Sequence, residues 1–188
     1  MEWLTALIRA VGSSFPGASS LVQLNSEIES SQVKTRLDRL EDPISSLHPD
    51  VQKVSATIYD AVKSNNSNSV DFDDEFYSRA SRPLAALEAN GFLKGQHAVG
   101  KKFPCGIRVT SPAYILYMAA MFAPEKSMSK LIDIVDKCES GKWINGDSVS
   151  SELDLPSPVV RSVFKIYRDK GYGLLSGEIG SNRYMAKV

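Results

Sequence analysis

The fold is decided by residues 126–188, which read KSMSKLIDIVDKCESGKWINGDSVSSELDLPSPVVRSVFKIYRDKGYGLLSGEIGSNRYMAKV. The first apolar side chains of this stretch recur at three- and four-residue spacing, which predicts an amphipathic helix that ends at Gly141. Short apolar runs and helical runs follow, and Asp147 stands where a helix cap is expected. The predicted elements are a strand at 143–144, helices at 147–153 and 158–170, and strands at 174–179 and 184–188 joined by a tight turn at 180–182. This order is typical of a small unit that presents one helix beside a β-hairpin.

The middle of the chain repeats this order of elements. Residues 87–93 parallel residues 167–174, because in both a helix ends in a glycine and enters a strand. We expect Asn90 and Gly91 to end the helix, because both residues tolerate the left-handed conformation, and Pro83 suits a first helical position. The predicted elements are a helix from residue 51, a strand at 70–72, helices at 74–77 and 83–89, strands at 92–93 and 107–110 joined by a long loop at 94–106, and an apolar helix at 112–122. We expect that last helix to pack between the two units or at a subunit contact.

In this order of elements the chain resembles the tandem winged-helix (winged helix-turn-helix) proteins across most of residues 51–188. The resemblance implies that the third helix of a unit enters the major groove of DNA and that the hairpin, or wing, lies along phosphate. It also implies a mainly α fold with small β-wings, an α+β protein. The expected domains are a helical oligomerisation arm at 1–47, a first winged-helix domain with its trailing apolar helix at 48–123, and a second winged-helix domain at 124–188.

The N-terminal arm carries two apolar stripes at helical spacing. The first is formed by Trp3, Leu4, Leu7, Ile8 and Val11. The second, at 19–41, is heptad-like on both sides of a skip at Ser30 and Ser31, and its polar face mixes both charges. A partner helix fits the first stripe better than a membrane surface does, because its polar side offers only Arg9 against Glu2. We expect coiled-coil pairing, with a homodimer formed through the arm or an arm folded back on the apolar helix.

Composition excludes several classes of protein. The 188 residues have no net charge, which argues against a strongly basic nucleic-acid protein, although residues 126–188 carry 10 basic and 8 acidic groups, a local excess of +2. No apolar run reaches the ~18–20 residues of a membrane span, so no membrane partner is expected. With Glu2 and Arg9, the N-terminus does not resemble a signal peptide. Cys105 and Cys138 lack metal-ligand spacing and are expected as free thiols in a reducing cytoplasm.

One face of the third helix in the second unit is a candidate DNA-binding surface. An inward stripe is formed by Val160, Val163, Phe164 and Tyr167, so the residues between them are expected on the opposite side. Arginine can pair with guanine and lysine can contact phosphate; the alternative is an ordinary solvated helix face. The candidates on this helix are Ser157, Arg161, Ser162, Lys165 and Arg168. The wing of the second unit adds Arg183, and the first unit adds Arg79, Arg82, Lys101 and Lys102.

Three patterns suggest other chemistry, but the residues in each do not meet the requirements of that chemistry. Residues 95–102, GQHAVGKK, nearly match a phosphate-binding loop, but Lys102 stands where a magnesium-binding hydroxyl is needed and no helix can start after it. The acidic run at 71–75 lacks the glycine and distal glutamate of a calcium loop and is expected to cap a helix. His97 could pair with Cys105 as a nucleophile, but a surface histidine is expected. The sequence therefore predicts no metal site, no cofactor and no enzymatic activity.

The leading hypothesis is a dimeric DNA-binding regulator of transcription, an inference from the fold class. A dimer would place two recognition helices at half-sites about one helical turn apart, ~34 Å. The alternative is a protein-interaction adaptor that uses tandem winged helices as packing surfaces, which the zero net charge and the acidic arm favour. Substitution of Arg161 or Lys165 should abolish binding only if DNA is the partner, whereas changes at Trp3 or Leu7 should matter more for an adaptor.

Overall fold

In the computed structural model the described residues are Ile44, 47–176 and 182–187. They form an α+β protein, as predicted, and this part of the chain contains seven helices and two antiparallel sheets of three strands each. The predicted arm up to residue 43, its coiled-coil pairing and the turn at 180–181 lie outside the described residues. None of the described helices combines the length and the apolar character that crossing a membrane requires.

The helices are α1 (Val51–Asn65), α2 (Asp74–Arg79), α3 (Ser81–Ala89), α4 (Pro112–Phe122), α5 (Glu125–Asp136), α6 (Gly146–Leu153) and α7 (Ser157–Asp169). The strands are β1 (Ser69–Val70), β2 (Leu93–Gln96), β3 (Gly106–Val109), β4 (Trp143–Asn145), β5 (Gly173–Leu175) and β6 (Arg183–Ala186). We call residues 51–109 the first unit and residues 125–187 the second unit; α4 connects them.

The two units have the same sheet topology. In each, the last strand lies in the middle and pairs antiparallel with both other strands, which gives the orders β1-β3-β2 and β4-β6-β5. Ile107 of β3 and Tyr184 of β6 are each 1% exposed and face the core from the two central strands. Because side chains alternate along a strand, their neighbours Arg108 and Met185 lie on the outer faces of the two sheets.

The two units also share the turn that leads from their third helix into the sheet. Gly91 has φ +73° and Gly171 has φ +84°, the left-handed conformation that glycine adopts without steric cost. In both turns the next residue donates its N–H to the carbonyl five residues earlier, at 3.0 Å for Phe92 and 2.9 Å for Tyr172. Asn90 has φ −92°. The helix therefore ends at Asn90 and Gly91, as predicted, and of the two residues only Gly91 adopts the left-handed conformation.

Helix α4 lies between the two units, which is one of the two placements predicted for it. It packs on α1 of the first unit and on α7 of the second. Tyr114, Leu116 and Met118 of α4 are at most 1% exposed. The hydroxyl groups of Tyr114 and Ser55 on α1 are 2.7 Å apart and form a hydrogen bond inside this core. A helix that is apolar on most sides is typical of a core element, which explains why the sequence of α4 shows little amphipathic pattern.

Polar contacts also join the two units. The residue after α1, Asn66, accepts with Oδ1 a hydrogen bond of 2.6 Å from the N–H of Ser157, the first residue of α7. Pro156 precedes α7 and makes no side-chain cap, so Asn66 caps this helix from the other unit. Nearby, Lys63 Nζ lies 2.8 Å from Asp154 Oδ2, and these side chains line a polar cleft of ≈ 190 Å³.

Three local expectations were wrong. Helix α6 is capped by Asn145, whose Oδ1 accepts from the N–H of Asp147 at 3.0 Å, so Asp147 lies inside the helix. Pro83 is the third residue of α3 rather than the first, a position where its missing N–H is still harmless because the first four N–H groups have no partner within the helix. The loop between β2 and β3 is shorter than expected, because β2 extends to Gln96, whose carbonyl accepts from Cys105 N at 2.7 Å.

Candidate nucleic-acid interface

Helix α7, the expected recognition helix, is covered on two sides. It packs on α5, α6 and β5 of its own unit and, more extensively, on α4. Val160, Val163 and Phe164 face inward as predicted and are at most 1% exposed. Val159 is also fully buried, so a second side of the helix is covered. Along α7 only Arg168 and Asp169 are exposed, which leaves a narrow strip of helix surface for a partner.

The two predicted serines do not belong to that strip. Ser162 is 3% exposed and its Oγ donates to the carbonyl of Pro158 at 2.7 Å. The expectation that Ser162 faces solvent was wrong, because it lies on the second covered side of α7. Ser157 is half-buried, and its Oγ accepts from Asn182 Nδ2 at 3.0 Å and donates to Asp147 Oδ1 at 3.4 Å. Its hydroxyl is therefore engaged within the protein.

Arg161, Lys165 and Arg168 share the remaining strip of α7, at the spacing that places side chains on one helix face. The pKa of Lys165 is lowered, first by its burial and then by the charges of Arg161, Arg168 and Arg108. Asp169 opposes this effect and pairs with Arg168, whose Nη2 lies 2.6 Å from Asp169 Oδ1. Arg108 belongs to β3 of the first unit, so the charge of a cation from that unit also acts on Lys165 of the second.

The outer face of the first sheet extends this group. Arg108 pairs in register with Lys94 of β2 and with Ser69 of β1, and both cations are exposed. Two like charges directly opposite each other destabilise a sheet. The hairpin at 93–109 contains four basic and no acidic residues. We call Lys94, Arg108, Arg161, Lys165 and Arg168 the basic surface.

Lys94 and Arg108 were missed as site residues by the sequence reasoning. The alternation Ile107-Arg108-Val109 could have placed Arg108 on an outer sheet face, because its two neighbours are apolar. Its approach to α7 could not have been found in that way, since it depends on how the two units pack.

Five predicted cations lie outside the basic surface. All are exposed: Arg79, Arg82, Lys101, Lys102 and Arg183. Arg79 Nη1 lies 3.8 Å from Glu75 Oε1, a surface pair of the kind that contributes only ~0.3–0.5 kcal/mol. Lys102 Nζ lies 5.1 Å from the ring centroid of Phe103, in the loop between β2 and β3. These residues remain predicted DNA contacts, on the hairpins and on the first unit.

The acidic run, the glycine-containing loop and the two cysteines each have a defined place in the structure. Asp73 caps α2 by accepting from Phe76 N at 2.7 Å, which confirms the capping role predicted for the acidic run. Residues 95–102 lead into β3, not into a helix. Cys105 and Cys138 are free thiols, as predicted. Within the described parts of the chain, no three His, Cys, Asp or Glu side chains are grouped so that they could hold a metal ion.

The basic surface can bind an anion that carries many charges. Arginine donates to phosphate oxygens through a planar fork and lysine binds them as a point charge, so both residue types suit phosphate. Binding such an anion would also relieve the repulsion among the clustered cations. Comparison of the chain with protein-family models, with curated proteins and with solved structures gave no match.

Proposed function

We propose that the protein binds double-stranded DNA as a non-enzymatic regulator of transcription built from two winged-helix units. One observation carries the proposal: Arg161, Lys165 and Arg168 share one strip of α7, and the charge of Arg108 from the first unit also acts on Lys165. Arg108 lies more than fifty positions before Arg161 in the sequence, so it belongs to this group of cations only because the two units pack together.

Electrostatics supports a polyanion as the partner. Clustered like charges lower the stability of the folded protein, and the pKa of Lys165 is lowered first by burial and then by the neighbouring arginine charges. A DNA backbone supplies one phosphate charge per ~1.7 Å of duplex, and its neutralisation releases condensed counterions. Zero net charge over the whole chain is compatible with this partner, because phosphate contacts depend on the local surface.

The cover of α7 by α4 favours a particular mode of binding. A helix inserted into the major groove needs a broad solvent-facing side, whereas α7 offers one narrow strip. We therefore infer that the basic surface grips phosphates across the two units. Lys101 and Lys102 in the loop between β2 and β3 would add contacts along the same backbone. Such contacts position a protein on DNA and carry little sequence information by themselves.

The test is a salt-dependent titration of a fluorescently labelled duplex of about 20 base pairs, at about 50 and about 200 mM salt. The variant is Arg108→Ala/Lys165→Ala. Its control is Lys53→Ala/Lys137→Ala, which removes the same charge from exposed lysines that pair with Asp50 and Asp133. If each lost cation contacts one phosphate, the slope of log K against log salt should fall by about 2 in the variant.

Binding of the duplex by the wild type and the control, with weakened binding by the variant, would support the proposal. Absence of duplex binding by the wild type at low salt would contradict it. Equal affinity of the variant and the control would show that DNA binds elsewhere.

A protein-interaction adaptor remains the second candidate function. One observation favours it: Met121 and Phe122, at the end of α4, are 49% and 36% exposed although the rest of this helix is mostly buried. Exposed apolar side chains at the end of a core helix are a plausible contact for a further helix. The homodimer proposed through residues 1–47 would supply such a helix. Sedimentation of the wild type and of Leu7→Asp tests the homodimer, because the substitution should dissociate a dimer only if the dimer forms through the arm.

A further inference from the structure

The outer face of the second sheet differs in chemistry from the equivalent face of the first. In the shared topology, the row Ser69, Arg108 and Lys94 corresponds to the row Trp143, Met185 and Leu174. The first row is polar and basic, and the second is apolar. Trp143 is 51% exposed and Leu174 is 42% exposed, so this row faces solvent. The outer faces of the two sheets therefore have different chemistry, although the two sheets share one topology.

Cations and a second aromatic ring flank the apolar row. Arg183 and Lys187 lie two positions before and after Met185 in the chain, and both are exposed. Tyr172 is 61% exposed, and its carbonyl accepts from the N–H of Lys187 at 3.0 Å, which places the two residues side by side. The Tyr172 ring meets Tyr167 edge-on at 6.0 Å between centroids, a contact that orients it.

The described part of this face carries no acidic side chain. Its outward positions are Asn145, Trp143, Arg183, Met185, Lys187, Ser176 and Leu174, and Tyr172 precedes β5 at the edge of this face, where its exposed ring also contacts Tyr167 of α7. Exposed aromatic rings among cations complement a polyanion whose bases are accessible, because rings stack on bases while cations contact the phosphates. In a duplex the faces of the bases are stacked on one another, so only unpaired bases can use such rings.

We propose that the outer face of the second sheet binds single-stranded nucleic acid, with bases stacked on Trp143 and Tyr172 and phosphates held by Arg183 and Lys187. Trp143 belongs to the edge strand β4 and Tyr172 directly precedes the opposite edge strand β5, so the two rings lie at opposite edges of the three-stranded sheet. The face uses none of the five residues of the basic surface, so the two proposals can fail separately.

The experiment measures binding of a labelled oligothymidylate of about 20 bases by fluorescence anisotropy. The variants are Trp143→Leu and Tyr172→Leu, which keep an apolar side chain and remove the ring. Phe122→Leu on α4 is the matched control. Each ring variant should bind the single strand about tenfold more weakly, while Trp143→Phe retains most of the affinity. Affinity for a labelled duplex should change by less than about twofold.

A second readout reports on Trp143 directly. The chain has two tryptophans, so Trp3→Phe leaves Trp143 as its single tryptophan. Titration of this full-length variant with the unlabelled oligothymidylate should quench the fluorescence of Trp143, because stacking brings a base against the indole. If Trp143→Leu lowers the folded fraction of the protein, the proposal is tested by the affinity of Tyr172→Leu for the single strand and by the quenching of Trp143 fluorescence.

Three results would overturn the proposal. The first is wild-type affinity for the single strand in both ring variants. The second is unchanged Trp143 fluorescence at saturating oligothymidylate. The third is tight binding of a labelled peptide of alternating Asp and Phe together with no binding of the oligothymidylate, which would make this face a docking surface for an acidic protein segment. Failure of duplex binding alone would contradict the proposed function and leave this inference standing.

Discussion

Removal of the hydrogen bond between Ser55 and Tyr114 tests how α1 packs on α4. The two hydroxyl groups are 2.7 Å apart and both residues are 0% exposed. Tyr114→Phe leaves Ser55 without this partner, and a buried polar group left unsatisfied costs roughly 1–3 kcal/mol. Ser55→Ala likewise leaves the buried hydroxyl of Tyr114 without this partner. Its cost should be similar, reduced by the ~0.5 kcal/mol that alanine gains inside a helix.

The double variant should be more stable than the sum of the single variants indicates. It removes both polar atoms and keeps the aromatic ring, whose centroid lies 5.4 Å from that of Phe92. We expect its free energy of unfolding to lie within about 1 kcal/mol of the wild type, which corresponds to a coupling energy of about 1–3 kcal/mol.

Urea unfolding of the four proteins measures this coupling, with Tyr172→Phe as a control at an exposed tyrosine that should change stability by less than ~0.5 kcal/mol. Additive single effects, or single effects below ~0.5 kcal/mol, would refute the buried hydrogen bond.

Three further predictions concern stability and use the same urea assay. Asn66→Ala should cost about 2 kcal/mol, because it removes the cap on Ser157 and places alanine in a left-handed conformation, whereas Asn66→Asp keeps both properties and should be nearly neutral; equal losses would contradict the cap. Gly171→Ala should cost about 1 kcal/mol through its φ of +84° alone, since a Cβ there meets open space, and an unchanged midpoint would argue against that conformation. Burial, with Asp154 and Asp60, raises the pKa of Tyr59 from 10.0 to about 12, so its stabilising effect is complete below pH ~10 and is lost as the pH rises towards ~12. Tyr59→Phe should flatten this alkaline decline, and an unaltered pH profile would contradict the assignment.

Local structure was predictable from the sequence because it depends on local chemistry. The helix at 112–122 was predicted with both of its observed ends, since Pro112 starts it and Pro124 follows soon after its last residue. The turns at Gly91 and Gly171 were predicted from the glycines themselves. Errors concerned single residues, such as Asn145 in place of Asp147 as a cap, where two neighbouring side chains could both accept the N–H bonds.

The candidate site was less predictable because it depends on how distant segments pack. The spacing of Arg161, Lys165 and Arg168 placed them on one strip of α7, but it also placed Ser162 in solvent. Val159 indicated in the sequence that this side could be buried, because a valine beside the inward stripe broadens the apolar side of the helix. That this broader side meets α4, and that Arg108 then approaches Lys165, follows from contacts between units that no periodicity encodes.

The most direct test of the basic surface is acetylation of surface lysines with and without duplex DNA, read by mass spectrometry. We predict that saturating duplex slows modification of Lys94 and Lys165 several-fold, because these lysines react only in the unbound fraction of the protein, while Lys53 and Lys137 keep their rates. Protection of a lysine from each unit would show that both contribute to one DNA-binding surface. Unchanged rates at Lys94 and Lys165 under conditions of saturating duplex would contradict the account.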